Sequence, residues 1–235
     1  MAVYSRRIFL DALRCSFPVL LGYLAIGSAF GLLMTDAGYP WWLVLVMNVF
    51  MFAGAGQFIA VGLFAAGTTL WEAALVQLVV NARHMAYGLS MMNRFRSAGP
   101  LRWYLIFGMT DETFALLSSL PENNDSTERA RFMFLVTLLD HIYWIAGGLI
   151  GAIAGSLIPF STEGVGFALT ALFIVLAIEQ MSRHRRPGIF IVSAALAVIC
   201  VLLLPSRISL LAAMALSLAI GSCLPKADSP QRGGV

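Results

Sequence analysis

Long apolar runs carrying charged residues near their centres constrain this chain more than any other feature of its sequence. Thr110-Asp111-Glu112 falls midway along the run 101–120, and Asn81-Ala82-Arg83-His84 falls just past midway along the run 69–92. A charged side chain at the centre of a bilayer costs about 2.5–3.5 kcal/mol on the insertion scale. Carboxylates, a guanidinium and an imidazole at that depth need one another, water or a ligand. A polar pathway through a helical membrane protein is therefore the first expectation. Composition agrees: 60% of residues are hydrophobic, 11% are charged and the mean hydropathy is +0.85. A soluble domain carries about 25% charged residues, so this chain lacks the means to cover a water-facing surface. The net charge of +3 reads as basic loops facing the cytoplasm, and no nucleic-acid partner is expected.

A membrane-crossing helix needs about 20 apolar residues. Eight runs meet that measure, at 17–35, 41–66, 69–92, 101–120, 130–158, 164–182, 187–204 and 206–223. They predict an all-α polytopic membrane protein with about eight transmembrane segments, one transmembrane domain over 1–224 and a disordered tail at 225–235. Residues 1–16 read as a short basic amphipathic helix on the membrane surface, with Arg6, Arg7 and Arg14 available to anionic lipid. If every run crosses, Arg6, Arg7, Arg14, Arg129, Arg131, Arg183, Arg185, Arg186, Lys226 and Arg232 share one side. Arg94, Arg96, Arg102 and Arg207 then lie on the other, and both termini are cytoplasmic. A rival arrangement makes the second and fifth runs re-entrant. It moves Arg94, Arg96 and Arg102 inside and sends Arg129 and Arg131 out. Charge bias barely separates the two.

The second and fifth runs stand apart. As straight helices they would be about 39 Å and 43 Å long, beyond a hydrocarbon core of about 30 Å. Both carry glycine near their middles: Ala53-Gly54-Ala55-Gly56-Gln57 in one, Gly147, Gly148, Gly151 and Gly155 in the other. Each is the second member of a group of three runs, in halves 17–95 and 100–183, followed by a helix pair at 187–224. Glycine-interrupted helices at matching places in inverted halves point to a transporter's binding site. For Ala53 to Gln57 a break is expected. For the fifth run a small-xxx-small seam of Gly147, Gly151 and Gly155 for close helix packing is expected, with a break as the alternative.

In the third run, Gln77, Asn81 and His84 share one helix face, while Arg83 projects to another with Tyr87 and Glu72. Polar groups on two sides require protein or water on both. Asp111 and Glu112 are adjacent and about 100° apart on a helix, so one can pair with Arg83 while the other faces a chamber. Low dielectric favours the neutral form of a carboxylate, which suits reversible protonation in an ion-coupled carrier. Asp140-His141, with Trp144 on the face of Asp140, reads equally as structure or function. Cys15, Cys200 and Cys223 form no disulfide framework or metal spacing, and no cofactor is expected. Motifs of zinc peptidases, serine hydrolases, P-loop proteins and dinucleotide-binding enzymes are absent, so no enzyme is expected.

Over roughly residues 15–160 the chain resembles the AzlC family of bacterial branched-chain amino-acid exporters. The resemblance is carried by Ala53-Gly54-Ala55-Gly56-Gln57-Phe58, by Asn81-Ala82-Arg83-His84-Met85-Ala86-Tyr87-Gly88, and by Thr110-Asp111-Glu112-Thr113-Phe114. It implies an inner-membrane protein that exports valine, leucine, isoleucine and also methionine, driven by the proton gradient. It also implies a small, separately encoded membrane partner of the AzlD type. Gly56 stands where Ser or Ala is more usual in the family. Lipid, protons and further copies of the chain complete the partners this reading allows.

A zwitterionic apolar amino acid needs donors for its carboxylate, an acceptor for its ammonium and an apolar slot. Half-helix N-termini at Gly54 and Gly56 can donate to the carboxylate, assisted by Gln57, Asn81 and Arg83. Asp111 or Glu112 can accept the ammonium or exchange a proton with His84. Phe58 and Phe114 are the expected lining of the slot. The rival is a channel or scaffold subunit whose buried charges merely satisfy one another.

Overall fold

The computed structural model describes residues 2–120, 126–157 and 187–204, with scattered positions between 174 and 220. Residues Met1–Val165 and Gly166–Val235 are two compact units. The described residues are helical or in short connections, without strands. The first unit holds α1 (Ala2–Asp36), α2 (Trp41–Phe50), α3 (Gly54–Ala65), α4 (Leu70–Phe95), α5 (Arg102–Phe107), α6 (Asp111–Ser118) and α7 (Ser126–Leu157). The second holds α8 (Pro187–Leu203), an apolar helix with proline in its first turn, where the missing N–H costs no hydrogen bond. The runs 164–182 and 206–223, the tail 225–235 and the basic residues Arg183, Arg185, Arg186, Arg207, Lys226 and Arg232 lie outside the described residues, apart from isolated positions in the two runs.

The backbone of the first unit is a parallel pair of long helices. Arg6–Asp36 within α1 and Thr127–Leu157 within α7 are each 31 residues long and apolar enough to cross a bilayer. Their contacts advance together along both chains. Ser16 meets the Tyr143 hydroxyl at 3.2 Å, Ser28 donates to the Gly147 carbonyl at 3.1 Å, and Gly155 faces Thr35. The seam consists of small residues because the backbones touch. A Cβ on Gly151 would meet the Ser28 carbonyl, one on Gly147 the Tyr23 carbonyl, and one on Gly31 the Gly148 carbonyl. Close backbone approach of this kind replaces the hydrophobic drive that lipid removes. The fifth run is thus one continuous helix, neither broken nor re-entrant, and its glycines serve packing. α1 is also continuous from Ala2, so residues 2–16 belong to the same helix as the first apolar run.

The second run does break, one turn before the expected glycines. Met51 (φ −126°, ψ 58°) and Ala53 (φ −148°, ψ 83°) leave helical geometry, and α3 restarts at Gly54. The chain also turns back. From the end of α1, α2 descends until Asn48 reaches the Trp144 carbonyl of α7 at 3.4 Å and Phe52 packs on Tyr23 and His141, at 6.0 and 4.5 Å between ring centres. α3 then climbs back along α1: Phe58 packs on Phe30 and Phe64 on Tyr39, each at 5.6 Å. Gln57 bridges the arms by donating to Asn48 at 3.0 Å. This is a helical hairpin that enters and leaves at one end.

α4 runs the opposite way. A capping box of Thr69 and Glu72 starts it, and its Gln77 donates to the Gly56 carbonyl of α3 at 2.8 Å. At its far end Gly99 takes φ 56°, a conformation that suits glycine, and the chain reverses through a 3-10 segment, Arg96–Leu101. α5 runs back along α4, placing Ile106 beside Gly88. Helical structure lapses over Gly108, Met109 and Thr110, and α6 then returns parallel to α4. Arg83 meets Asp111, Tyr87 stacks on Phe114 at 4.4 Å, and Arg94 donates to the Leu117, Ser118 and Leu120 carbonyls at 3.1, 3.2 and 3.2 Å. The fourth run, read from sequence as a straight crossing, is a second hairpin from the opposite end.

Two runs expected to cross are therefore helical hairpins, each with both its ends toward one end of the α1–α7 pair. The breaks fall in the second and fourth runs, which removes the correspondence on which the three-plus-three division rested. What alternates instead is a long helix followed by a hairpin, first α1 with α2–α3, then α4 with α5–α6 in the inverted direction. This topology also sorts charge. Arg6, Arg7, Arg14, Arg94, Arg96, Arg102, Arg129 and Arg131 all lie toward one end, and the opposite end carries Asp36 and Glu72.

Replacing Gly151 by leucine should push α1 and α7 apart, costing about 1–3 kcal/mol or more through overpacking and lowering the melting temperature in detergent. A Cβ on Gly22 meets nothing within 4 Å, so Gly22→Ala is the control and should be neutral or stabilising.

Candidate functional site

Both hairpin tips meet at mid-depth, against Tyr23 of α1 and His141 of α7. The Tyr23 ring packs on Phe52 in the first tip, while its hydroxyl lies 2.7 Å from Thr110 Oγ1 in the second and donates to Glu112 at 2.8 Å. His141 stacks on Phe52, lies 2.8 Å from the Tyr104 hydroxyl through Nδ1, and 3.0 Å from the Asn48 carbonyl through Nε2. Asp140 accepts from Thr113 at 2.9 Å. Trp144 donates to Gln57 at 2.7 Å and packs edge-on against Tyr23.

The two half-helices beginning at mid-depth have unlike N-termini. α6 is capped: Thr110 accepts from the Thr113 N–H at 3.2 Å, and its first turn carries Asp111 and Glu112. α3 has no side-chain cap and begins Gly54-Ala55-Gly56, which leaves a donor-rich, partly positive end. A Cβ on Gly56 would crowd Gln77 and Asn81, at 2.7 and 2.8 Å, so even a Ser or Ala side chain would press on α4 here.

The expected site residues divide into three groups. Gly56 and Asn81 meet at the α3–α4 contact through Gln77, to which Asn81 donates at 2.9 Å; Gly54 lies instead against the Trp144 ring. Arg83, Asp111 and Phe114 gather on the α4 face toward α6. There Arg83 Nη1 lies 2.7 Å from Asp111 Oδ2, with the two side chains 34% and 22% exposed. Phe114 stacks on Tyr87, and the His84 ring lies 6.1 Å from Tyr87. Glu112 turns the other way, to Tyr23. Asp111 and Glu112 thus serve different partners, as their angular separation requires.

Gln57 and Phe58 belong to the packing around the first tip. Gln57 is fully buried, with its amide engaged by Asn48 and Trp144, and Phe58 is buried against Phe30. The residues that sequence reasoning passed over are Tyr23, Asn48 and Thr113. Asn48 had a legible signal, an amide inside an apolar run. Tyr23 had none, since a tyrosine in an apolar helix is ordinary. Asp140 and His141 were noted without a role and prove central.

Three buried polar atoms at this level have no hydrogen-bond partner: Asn81 Oδ1, Arg83 Nε and Asp111 Oδ1; a fourth, Asp140 Oδ1, lies on α7. Buried polar groups are ordinarily paired, so each calls for a water, a ligand or a second state. No group of His, Cys, Asp and Glu able to hold a metal ion occurs among the described residues.

The family model described as AzlC protein matches residues 18–158, which include α1 beyond its first turns and both hairpins. This chain belongs to the AzlC family. The match covers both charged motifs and the Tyr23, Asp140 and His141 cluster. A Bacillus subtilis protein named branched-chain amino acid transport protein AzlC is 40% identical over 180 residues, covering 76% of this chain and 70% of the relative. An uncharacterized membrane protein of Helicobacter pylori strain J99 is 41% identical over 212 residues, covering 88% and 92%. The Escherichia coli inner membrane protein YgaZ is 29% identical over 185 residues, covering 75% of each chain. No solved structure matches.

Replacing His141 by phenylalanine keeps the stacking on Phe52 but strands the Asn48 carbonyl and the Tyr104 hydroxyl. At about 1–3 kcal/mol per unsatisfied buried group, the loss for the two should be about 2–6 kcal/mol, read as a lower unfolding midpoint. Unchanged stability would mean that only the ring matters.

Proposed function

We propose that this protein is a secondary transporter of the bacterial inner membrane that exports branched-chain amino acids, with methionine as a further substrate, in exchange for protons. The name of the Bacillus subtilis relative supports the substrate class. One structural observation carries the chemistry: the ion pair at mid-depth is half used. Arg83 and Asp111 touch through one nitrogen and one oxygen, which leaves Nε and Oδ1 without partners. An amino-acid zwitterion presents a carboxylate and an ammonium, the complement of that open donor and open acceptor. The substrate inserts by opening the pair: Arg83 takes the carboxylate and Asp111 the ammonium. The two atoms are shielded from solvent, so entry requires α6 to shift against α4.

The uncapped end of α3, with Gly54, Gly56 and Asn81, offers a second set of groups on the other face of α4. Phe114 on Tyr87 supplies the apolar wall. Selection among leucine, isoleucine and valine is expected to be loose, because one methylene in an apolar slot is worth only about 1–3 kcal/mol. Glu112 and His84 are the proton-coupling groups of this reading; Asp111, engaged by Arg83, is assigned to the ammonium. A small AzlD-type membrane partner belongs to the same reading, as the resemblance implies.

Orientation follows from charge. All basic residues of the first unit other than Arg83 lie toward the end where α1 begins, which the positive-inside bias assigns to the cytoplasm. The N-terminus is then cytoplasmic, the α5–α6 hairpin enters from inside and the α2–α3 hairpin from outside. Cysteine placed at Ser97 should react with impermeant reagent from the cytoplasmic face, and cysteine at Ala66 from the outer face. Straight crossings by all runs require the reverse at both positions.

Transport itself is tested by counterflow in proteoliposomes, in which preloaded leucine should exchange for labelled leucine with saturation. Leucinol lacks the carboxylate and 4-methylpentanoate lacks the ammonium. Each should compete at least about tenfold less well, the worth of one charge-assisted hydrogen bond. Asp111→Asn should raise KM about 10- to 100-fold on the same arithmetic. Equal competition by leucinol would exclude the ion pair as the binding site, and absence of counterflow would exclude the carrier.

A further inference from the structure

Asp140 is a buried carboxylate that the proposed mechanism does not use. Its residue exposure is 0%, Oδ2 accepts from Thr113 at 2.9 Å, and Oδ1 has no hydrogen-bond partner. Neither the Arg14–Asp11 nor the Arg83–Asp111 pair involves Asp140, and no cation is described against it. The titratable groups around it come from every packed element. They are Cys15 and Tyr23 on α1, Glu112 on α6, and His141 and Tyr143 on its own helix, with Tyr104 of α5 reached through His141. Both nitrogens of His141 are already occupied by Tyr104 and Asn48. An ionised carboxylate sealed without a cation is costly, whereas a neutral acid needs only a place for its proton. Oδ2, which faces the Thr113 hydroxyl, is that place.

Asp140 is also wired to Glu112. Tyr23 Oη donates to Glu112 at 2.8 Å and lies 2.7 Å from Thr110 Oγ1; Thr110 Oγ1 lies 3.0 Å from Thr113 Oγ1; Thr113 donates to Asp140. Resting on the transport reading above, we propose that Asp140 holds the coupled proton, exchanged with Glu112 through the hydroxyls of Tyr23, Thr110 and Thr113. The transfer balances. A proton leaving the Glu112 carboxyl binds Tyr23 Oη, whose own proton passes to Thr110; Thr110 passes one to Thr113, and Thr113 passes one to Asp140. Each hydroxyl gains and loses one proton, Glu112 becomes the carboxylate and Asp140 the acid. Two of the three hydroxyls sit at the tip and first turn of the second hairpin, the element that must shift to admit substrate. Proton position and hairpin position are thereby joined.

The test uses the full chain in proteoliposomes, with three readouts. A pH difference of one unit sustains about tenfold accumulation of leucine per coupled proton, since one unit is a tenfold ratio of proton activity. Asp140→Asn should abolish that accumulation while keeping gradient-free counterflow within about twofold of the parent. Thr113→Val and Tyr23→Phe, which break the wire but keep both carboxylates, should slow the gradient-driven step alone. Infrared difference spectra should show a protonated-carboxyl band in the parent that is lost in Asp140→Asn and displaced in Asp140→Glu, with gradient drive restored in the latter. Wild-type gradient dependence in a folded Asp140→Asn protein overturns the proposal. So does a parent spectrum without any protonated-carboxyl band, which decides the matter even where the variant does not fold. Should the parent move no branched-chain amino acid, the transport reading fails, and the infrared band still shows separately whether Asp140 carries a proton.

Discussion

Irregular backbone at the middle of a membrane must be covered by protein, because lipid offers nothing to its N–H and C=O groups. Two such stretches, 51–53 and 108–110, lie at mid-depth in this protein, and the rest of the unit is organised around covering them. The cover comes from two helices that touch along glycine and serine. Because α1 and α7 approach so closely, Tyr23 and His141 can reach both tips at once: Tyr23 packs on one and hydrogen-bonds the other, and His141 stacks on Phe52 while holding Asn48 and Tyr104. Without the seam the tips would face lipid.

The hairpins bring helix ends to the same depth from opposite sides, and their differences set the chemistry. The start of α3 is bare of side-chain caps and suits an anion. The start of α6 is capped by Thr110 and carries two carboxylates. Of these, Asp111 turns to the only arginine at this depth among the described residues, and Glu112 turns to a chain of hydroxyls. In the proposed mechanism, ion pairing and proton handling are thus separated by one residue step on one helix. A zwitterion carried with a proton needs that separation, because a carboxylate that binds the ammonium is a poor place to hold the coupled proton.

The charged motifs, the membrane class and the break near Ala53 were legible in the sequence. The path of the chain was not. Run length alone cannot distinguish a crossing from a half-depth hairpin, since two arms of about ten residues read as one run of twenty. In the fourth run the only clue was Gly108 ahead of Thr110-Asp111-Glu112, a turn followed by a cap and an acidic first turn, which is the signature of a helix start in the middle of an apolar stretch. In the fifth run the small-xxx-small spacing was legible as a packing seam, although glycines that permit backbone contact look the same as glycines that break a helix.

Sequence by itself determined that this chain lies in a membrane, that its polar groups cluster in two motifs, and that Asp111 and Glu112 serve different partners; hydropathy and helical angle are local properties. Tertiary structure alone decided that Arg94, Arg96 and Arg102 share an end with Arg6 and Arg7, that Gln57 is packing, and that Tyr23 and Asp140 join the centre. Those outcomes depend on where the chain doubles back. That is set by contacts between residues far apart in sequence, such as Ser16 with Tyr143 and Thr113 with Asp140, which no local pattern records.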